Sequence, residues 1–185
     1  MSFCVSFPPV ARPDARLLIL GTLPGVESLR QSQYYANRNN AFWRIMGELA
    51  GAGPELPYEQ RLARLTEAGF ALWDVCANAT RPGSLDADIS NMVPHDFAGF
   101  LAAHPEVGLI CFNGQHAAKL FARHVLANLP EAAREIACKT LPSTSPAHAA
   151  MRFEQKLVLW REGLGAYPAK VDTGFAQKIC DFKGS

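Results

Sequence analysis

Cysteine is sparse in this sequence and poorly spaced for joint work. The five cysteines (Cys4, Cys76, Cys111, Cys138 and Cys180) are odd in number and scattered, and no C-x-x-C pair occurs. A disulfide framework or a four-cysteine zinc or iron–sulfur site therefore has no support. Cys111 and Cys138 lie in apolar runs and read as small buried hydrophobes. Long apolar stretches are also missing, because no run reaches the ~20 residues that cross a bilayer. The first residues lack a basic stretch followed by an apolar one, so no signal peptide is expected. Charge of one sign is not in excess either. A net charge of +1 does not announce a polyanion-binding protein, and any such contact must come from a local patch. No Walker, dinucleotide or Gly-x-Ser-x-Gly signature appears.

What is present is a core. The chain has 185 residues, of which 49% are hydrophobic, enough for one domain with a sizeable interior. Four short apolar runs read as buried strands: 17–21, 71–75, 107–112 and 136–141. Helical patterns alternate with them. Phe42, Ile45, Met46 and Leu49 follow the i, i+3, i+4, i+7 rule up to Gly51. Residues 58–68 form a second helix ending at Gly69, and 114–126 a third, with Ala118, Phe121, Ala122 and Val125 on one face. A fourth runs over 147–163 with Phe153, Leu157 and Trp160 inward, and a short one lies near 94–103. Strands alternating with helices predict a three-layer α/β/α sandwich around a central four-stranded, mainly parallel sheet. The whole chain reads as one domain with its core over about 15–165 and a peripheral tail, 166–185. Ligands of such sheets bind beyond the carboxyl ends of the strands, where Gly21–Gly25, Asp74–Asn78, Asn113-Gly114 and Pro142–Pro146 fall.

Those loops carry the candidate chemistry. Asn40 reads either as an N-cap for the helix after it or as an amide aimed at a ligand. Tyr34 and Tyr35 read as core edge or as a stacking platform for a flat ring. The Gly21–Gly25 turn is an ordinary bend, or a place where backbone amides approach a ligand. Asn113-Gly114 is first a turn signal, yet an amide both donates and accepts and suits the polar edge of a ring. Ser145 with Pro146 reads as the cap and first residue of a helix. The hydroxyls of Ser143, Thr144 and Ser145, with His148 and Arg152 nearby, also suit a phosphate. Asp74 reads as a residue that positions a loop or as one that titrates near the site, the structural role being favoured, and His95 and His116 read as surface or core histidines.

The motifs together resemble the hypoxanthine-DNA glycosylase branch of the uracil-DNA glycosylase superfamily. The family's Tyr-Tyr-Gly-His-Pro-x-Asn-x-Phe-Trp segment is matched by Tyr34, Tyr35, Asn40, Phe42 and Trp43, with Asn37 and Arg38 standing where His-Pro is usual. Its Ser-Thr-Ser-Pro-Ala is matched by residues 143–147, with His148 in place of the common Asn. Its Trp-Asp-Val and Gly-Ser-Leu-Asp are matched from Trp73 and from Gly83 through Ser84 to Asp86. The resemblance implies that Asn40 is catalytic and that Leu23 (through its backbone), Tyr35 and Asn113 bind the base. Ser143, Thr144, Ser145, His148 and Arg152 would hold DNA, with an intercalating wedge somewhere in 147–151. Leu23 stands where thymine- and uracil-directed relatives carry Asn or Asp, so water activation by that side chain is excluded.

The expectation is a monofunctional glycosylase that flips out a deaminated base, chiefly hypoxanthine, from double-stranded DNA, with single-stranded DNA a further candidate. It would act as a monomer with no metal or cofactor and no membrane partner, inside the cell (in bacteria, at the nucleoid). Uracil and xanthine are alternative substrates. A non-catalytic lesion binder and a small-molecule enzyme such as a nucleoside hydrolase are alternative classes.

Overall fold

The computed structural model describes residues 2–83, 85 and 89–165. The four expected strands are present as β2 (Leu17–Gly21), β3 (Phe70–Asp74), β6 (Leu109–Asn113) and β7 (Ala137–Leu141). They form a parallel sheet in the order β3-β2-β6-β7. Every residue of β2, β3 and β6 is buried. Each Leu or Ile so buried stabilises by about 1.5–3 kcal/mol, which is why these strands read as unbroken apolar runs. At the free edge of β3, Val10 and Leu72 exchange both backbone hydrogen bonds, at 2.9 and 2.8 Å, in an antiparallel bridge.

Helices cover both faces. α2 (Phe42–Ala50) touches both α3 (Tyr58–Glu67) and α7 (Phe153–Leu164), forming one layer. α4 (Phe97–Ala103) and α5 (Gln115–His124) meet through the edge-on Phe97–Phe121 contact, and Phe121 packs against Phe112 of the sheet. α1 (Val26–Gln31) and α6 (Glu131–Arg134) are short connectors. Phe42, Ile45 and Met46 of α2 are fully buried, as their spacing requires.

The periodicity did not reveal a second sheet, β1-β4-β5, made antiparallel from Ser2–Val5, Cys76–Arg81 and Ser90–Pro94. One residue, Val75, separates β3 from β4, so a single extended segment passes from one sheet to the other. Asn78 and Thr80 of β4 are half-buried and Ser90 and Asn91 of β5 exposed, and strands interrupted by such polar residues give little hydrophobic signal. The fourth helix also needs correction. It starts at Phe153, not 147, and Pro146 lies in a turn. The turn closes through His148 N–H to Ser145 O at 3.0 Å, and the Lys156 ammonium, also at 3.0 Å, takes the His148 carbonyl. The Gln155 side chain then accepts the Arg152 N–H, starting the helix one turn later. Ser84, Asp86 and the tail 166–185 lie outside the described residues.

Candidate active site

The sheet order reverses between β2 and β6, and the crevice at their carboxyl ends is where such folds bind ligands. A cleft of about 440 Å³ opens there. It is lined by Leu23, Tyr35, Asn40, Asn113, Ser143, Thr144, Ser145 and His148, eight of the nine residues singled out from the sequence. The ninth, Arg152, is exposed at the N-cap of α7 outside the lining. Two glycines make the crevice possible. A Cβ on Gly21 would meet Asp74 Oδ1 at 2.5 Å and Tyr35 Oη at 2.8 Å. Gly114 has φ +100°, and a Cβ there would sit 3.0 Å from Ser143 Cβ.

The N-cap position of α2 falls to Ala41, so Asn40 is not the formal cap. It lies two residues before the start of α2, and its Oδ1 accepts the Phe42 N–H at 2.9 Å, in the manner of a turn leading into the helix. That bond fixes which end of the amide is which, and leaves Nδ2 as the donor end of a residue that lines the cleft. Ala41 N–H donates to Thr144 O at 3.0 Å, tying this helix start to the opposite wall.

Tyr35 has φ +54°, the left-handed region in which an aromatic residue is strained. Its neighbours hold it there. Tyr34 N–H donates to Tyr58 Oη at 2.9 Å, Trp43 Nε1 to Tyr34 O at 2.9 Å, and Ala36 N–H to Ser28 Oγ at 3.2 Å. The Tyr35 ring stacks on Phe42 with centroids 4.0 Å apart and planes inclined by 20°. Tyr34 packs instead of lining the cleft wall alone: it is 3% exposed, and burial, with the charge of Asp74 adding, pushes its hydroxyl well above its ordinary pKa.

A family model described as Uracil DNA glycosylase superfamily matches residues 8–162. The chain belongs to the uracil-DNA glycosylase superfamily. It is 41% identical over 112 residues to the hypoxanthine DNA glycosylase of Methanosarcina acetivorans, covering 60% of this chain and 71% of that one. It is 36% identical over 110 residues to the hypoxanthine DNA glycosylase of Methanosarcina barkeri, covering 59% and 70%. A solution NMR structure of a Methanosarcina acetivorans protein, named as a candidate uracil DNA glycosylase, superposes with a TM-score of 0.72 at 32% identity, covering 87% of this chain and 98% of that one.

In this superfamily member the walls of the cleft divide their labour. Leu23, 6% exposed, buries its side chain against Cys4, Cys76 and Ala79, which leaves its backbone for the cleft. Arg81, fully buried, donates from Nη2 to Pro24 O and braces the same turn. Thr144 is only 1% exposed and its hydroxyl accepts from Asn113 Nδ2 at 2.8 Å, so it braces its loop from within, whereas Ser143 and Ser145 are half-buried. The Ser143 and Ser145 hydroxyls accept the N–H groups of Ser145 and Ala147, both at 3.2 Å, in place of the expected helix cap. Residues 146–150 are exposed around His148.

Asp74 both lines the cleft and holds a neighbouring segment. It is 4% exposed, lines the cleft, and accepts the Ser6 hydroxyl at 2.8 Å through Oδ2. The available signal was its place at the carboxyl end of a buried strand. His95 stacks on Trp73 at 4.1 Å, away from the cleft lining, and burial lowers its pKa to about 4. Among the described residues, no group of three His, Cys, Asp or Glu is placed to hold a metal, and no helix is long and apolar enough to cross a membrane.

Proposed function

We propose that this protein is a monofunctional DNA glycosylase that excises deaminated bases, hypoxanthine foremost, from double-stranded DNA and works as a single-domain monomer. The observation that carries the proposal is the amide of Asn40, locked by its own helix start with the donor end at the cleft. Cleaving the C1′–N bond leaves negative charge on the base and positive charge on the sugar. A preorganised neutral donor stabilises that departing base without acquiring charge itself. The backbone at Leu23 supplies a second donor to the same developing anion. With its carbonyl already engaged, the Asn40 amide serves the leaving base better than it serves an attacking water.

Tyr35 stacks on the flipped base, and its strained backbone aims the ring before substrate arrives. Asp74 offers an acceptor for a ring N–H. Hypoxanthine carries hydrogen on N1 where adenine has a lone pair, so a buried acceptor favours the deaminated purine over the normal one. Ser143, Ser145, His148 and Arg152 contact the DNA backbone, with the wedge drawn from residues 147–151. Extrusion costs least for a mispaired base, which adds selectivity.

The test uses duplexes carrying a single deoxyinosine, deoxyuridine or deoxyxanthosine, treated with alkali after incubation with the protein. Scission at inosine is the expected result. Tight binding to abasic or inosine DNA without scission would favour a lesion-binding protein instead. Release of base from free nucleosides would favour a small-molecule hydrolase.

A further inference from the structure

α7 carries two buried donors one helical turn apart, Lys156 and Trp160, 5% and 0% exposed. Side chains at i and i+4 share a helix face, and here that face meets the loop after β7. Trp160 Nε1 donates to Pro142 O at 2.9 Å, and the Lys156 ammonium donates to His148 O at 3.0 Å. The two carbonyls bracket residues 143–147, so one helix grips that stretch from both sides. Within the grip stand Ser143, Thr144 and Ser145, which line the cleft together with His148.

The two grips differ in charge. An indole N–H is neutral and suits a carbonyl without further help. A buried ammonium is costly unless an opposite charge compensates it, and burial lowers the Lys156 pKa. Among the described residues no carboxylate forms an ion pair with Lys156; the ion pairs there join Arg12 to Asp14 and Arg30 to Glu27. The His148 carbonyl takes one of its three N–H bonds. A charge held in this way suits an anion that arrives from outside. Residues 146–150 above it are exposed, and Ser143, Ser145 and His148 beside it are the groups assigned above to the DNA backbone.

We infer that Lys156 is a positioning residue for DNA: its ammonium fixes the 146–150 turn through the His148 carbonyl and supplies, from behind that turn, positive charge for the phosphate that covers it. It acts through the turn and through space, without touching the base. The inference rests on the glycosylase reading above and deepens it. In a chain of net charge +1, part of the local attraction for a polyanion is built into the fold beneath the binding surface.

The experiment measures the Kd for an abasic duplex over roughly 50 to 200 mM salt, using the full chain unaltered, as Lys156→Met and as Lys156→Arg. A cation that neutralises one phosphate contributes about 0.9 to the slope of log affinity against log salt. Lys156→Met is expected to weaken binding about tenfold and to reduce the slope by up to about 0.9. Lys156→Arg keeps the charge and is expected to restore the slope. Excision from a saturated inosine duplex should stay within about two-fold in both, the pattern of lost binding without lost chemistry. An unchanged slope in Lys156→Met would overturn the inference, because Lys156 would then only brace the turn. A slope reduced equally in both variants would overturn it too, as would slower excision with affinity intact.

A second measurement covers a Lys156→Met chain that does not fold. The Lys156 ammonium protons, followed by NMR in the unaltered protein, should exchange with solvent more slowly once the abasic duplex is bound. Exchange that DNA leaves unaltered would overturn the inference. Failure of the unaltered protein to cut inosine DNA, with the salt slope still dependent on the charge at Lys156, would instead remove the glycosylase reading and leave the phosphate contact standing.

Discussion

Two asparagines line the cleft and are bonded in opposite ways. Asn40 has its carbonyl pinned by the Phe42 N–H, with its donor end at the cleft. Asn113 gives both donors and one acceptor bond to Tyr35 and Thr144. The same side chain keeps its donor end out of protein bonds on one wall and commits it on the other. What separates them is the bonding around each amide, since both follow strand or turn signals that look alike. A polar residue in a crevice is thus a candidate for contact with the ligand only after its hydrogen bonds have been counted.

The difference predicts separable losses. Asn40→Ala removes the donor to the departing base and should lower single-turnover excision by about 10²–10³-fold. Its cost in stability should be about 1 kcal/mol, that of a lost cap. An intact excision rate in this variant would erase the contrast between the two walls. Next in size is Tyr35→Ala, where loss of a stacking platform worth about 1–3 kcal/mol should weaken binding to an abasic or inosine duplex by roughly 5- to 150-fold.

Around Asn113 the order inverts. Thr144→Val strips the acceptor from Asn113 Nδ2 and should cost about 1–3 kcal/mol of stability for a stranded buried donor, read as a lower Tm. Its effect on excision should stay well below that of Asn40→Ala. The smallest effect expected lies outside both walls. Burial of His95 lowers its pKa from 6.5 to about 4, so the unfolded chain binds a proton there before the folded one does. Stability should fall as pH drops from about 6.5 toward 4, and His95→Gln should flatten that part of a Tm-against-pH profile. An unchanged profile would mean that another group governs it.

The parallel sheet was readable from sequence because β2, β3 and β6 are buried on both faces and therefore spell continuous apolar runs. α2 was readable for the same reason, through Phe42, Ile45 and Met46 at helical spacing. The β1-β4-β5 sheet was not, because Asn78, Thr80, Ser90 and Asn91 put polar groups where strand signals are sought. The start of α7 was misplaced because Ser145-Pro146 is a good local helix start that a distant contact, Lys156 to the His148 carbonyl, overrides. In the site, residue types and chain positions led to the cleft, but the bonding of Asn113 to Thr144 spans 31 residues of sequence and no local pattern encodes it. That Asp74 lines the cleft was not legible, because a lone carboxylate beside a tryptophan gives no hint of which way it faces.

The most direct test of the central claim is excision from inosine duplex by Asn40→Asp under single-turnover conditions. The substitution keeps an oxygen to accept the Phe42 N–H and removes the donor at the cleft. A variant with unaltered Tm and base release slowed by two orders of magnitude or more is the predicted result. Excision at the unaltered rate would contradict the account, because the donor end of Asn40 would then have no part in releasing the base.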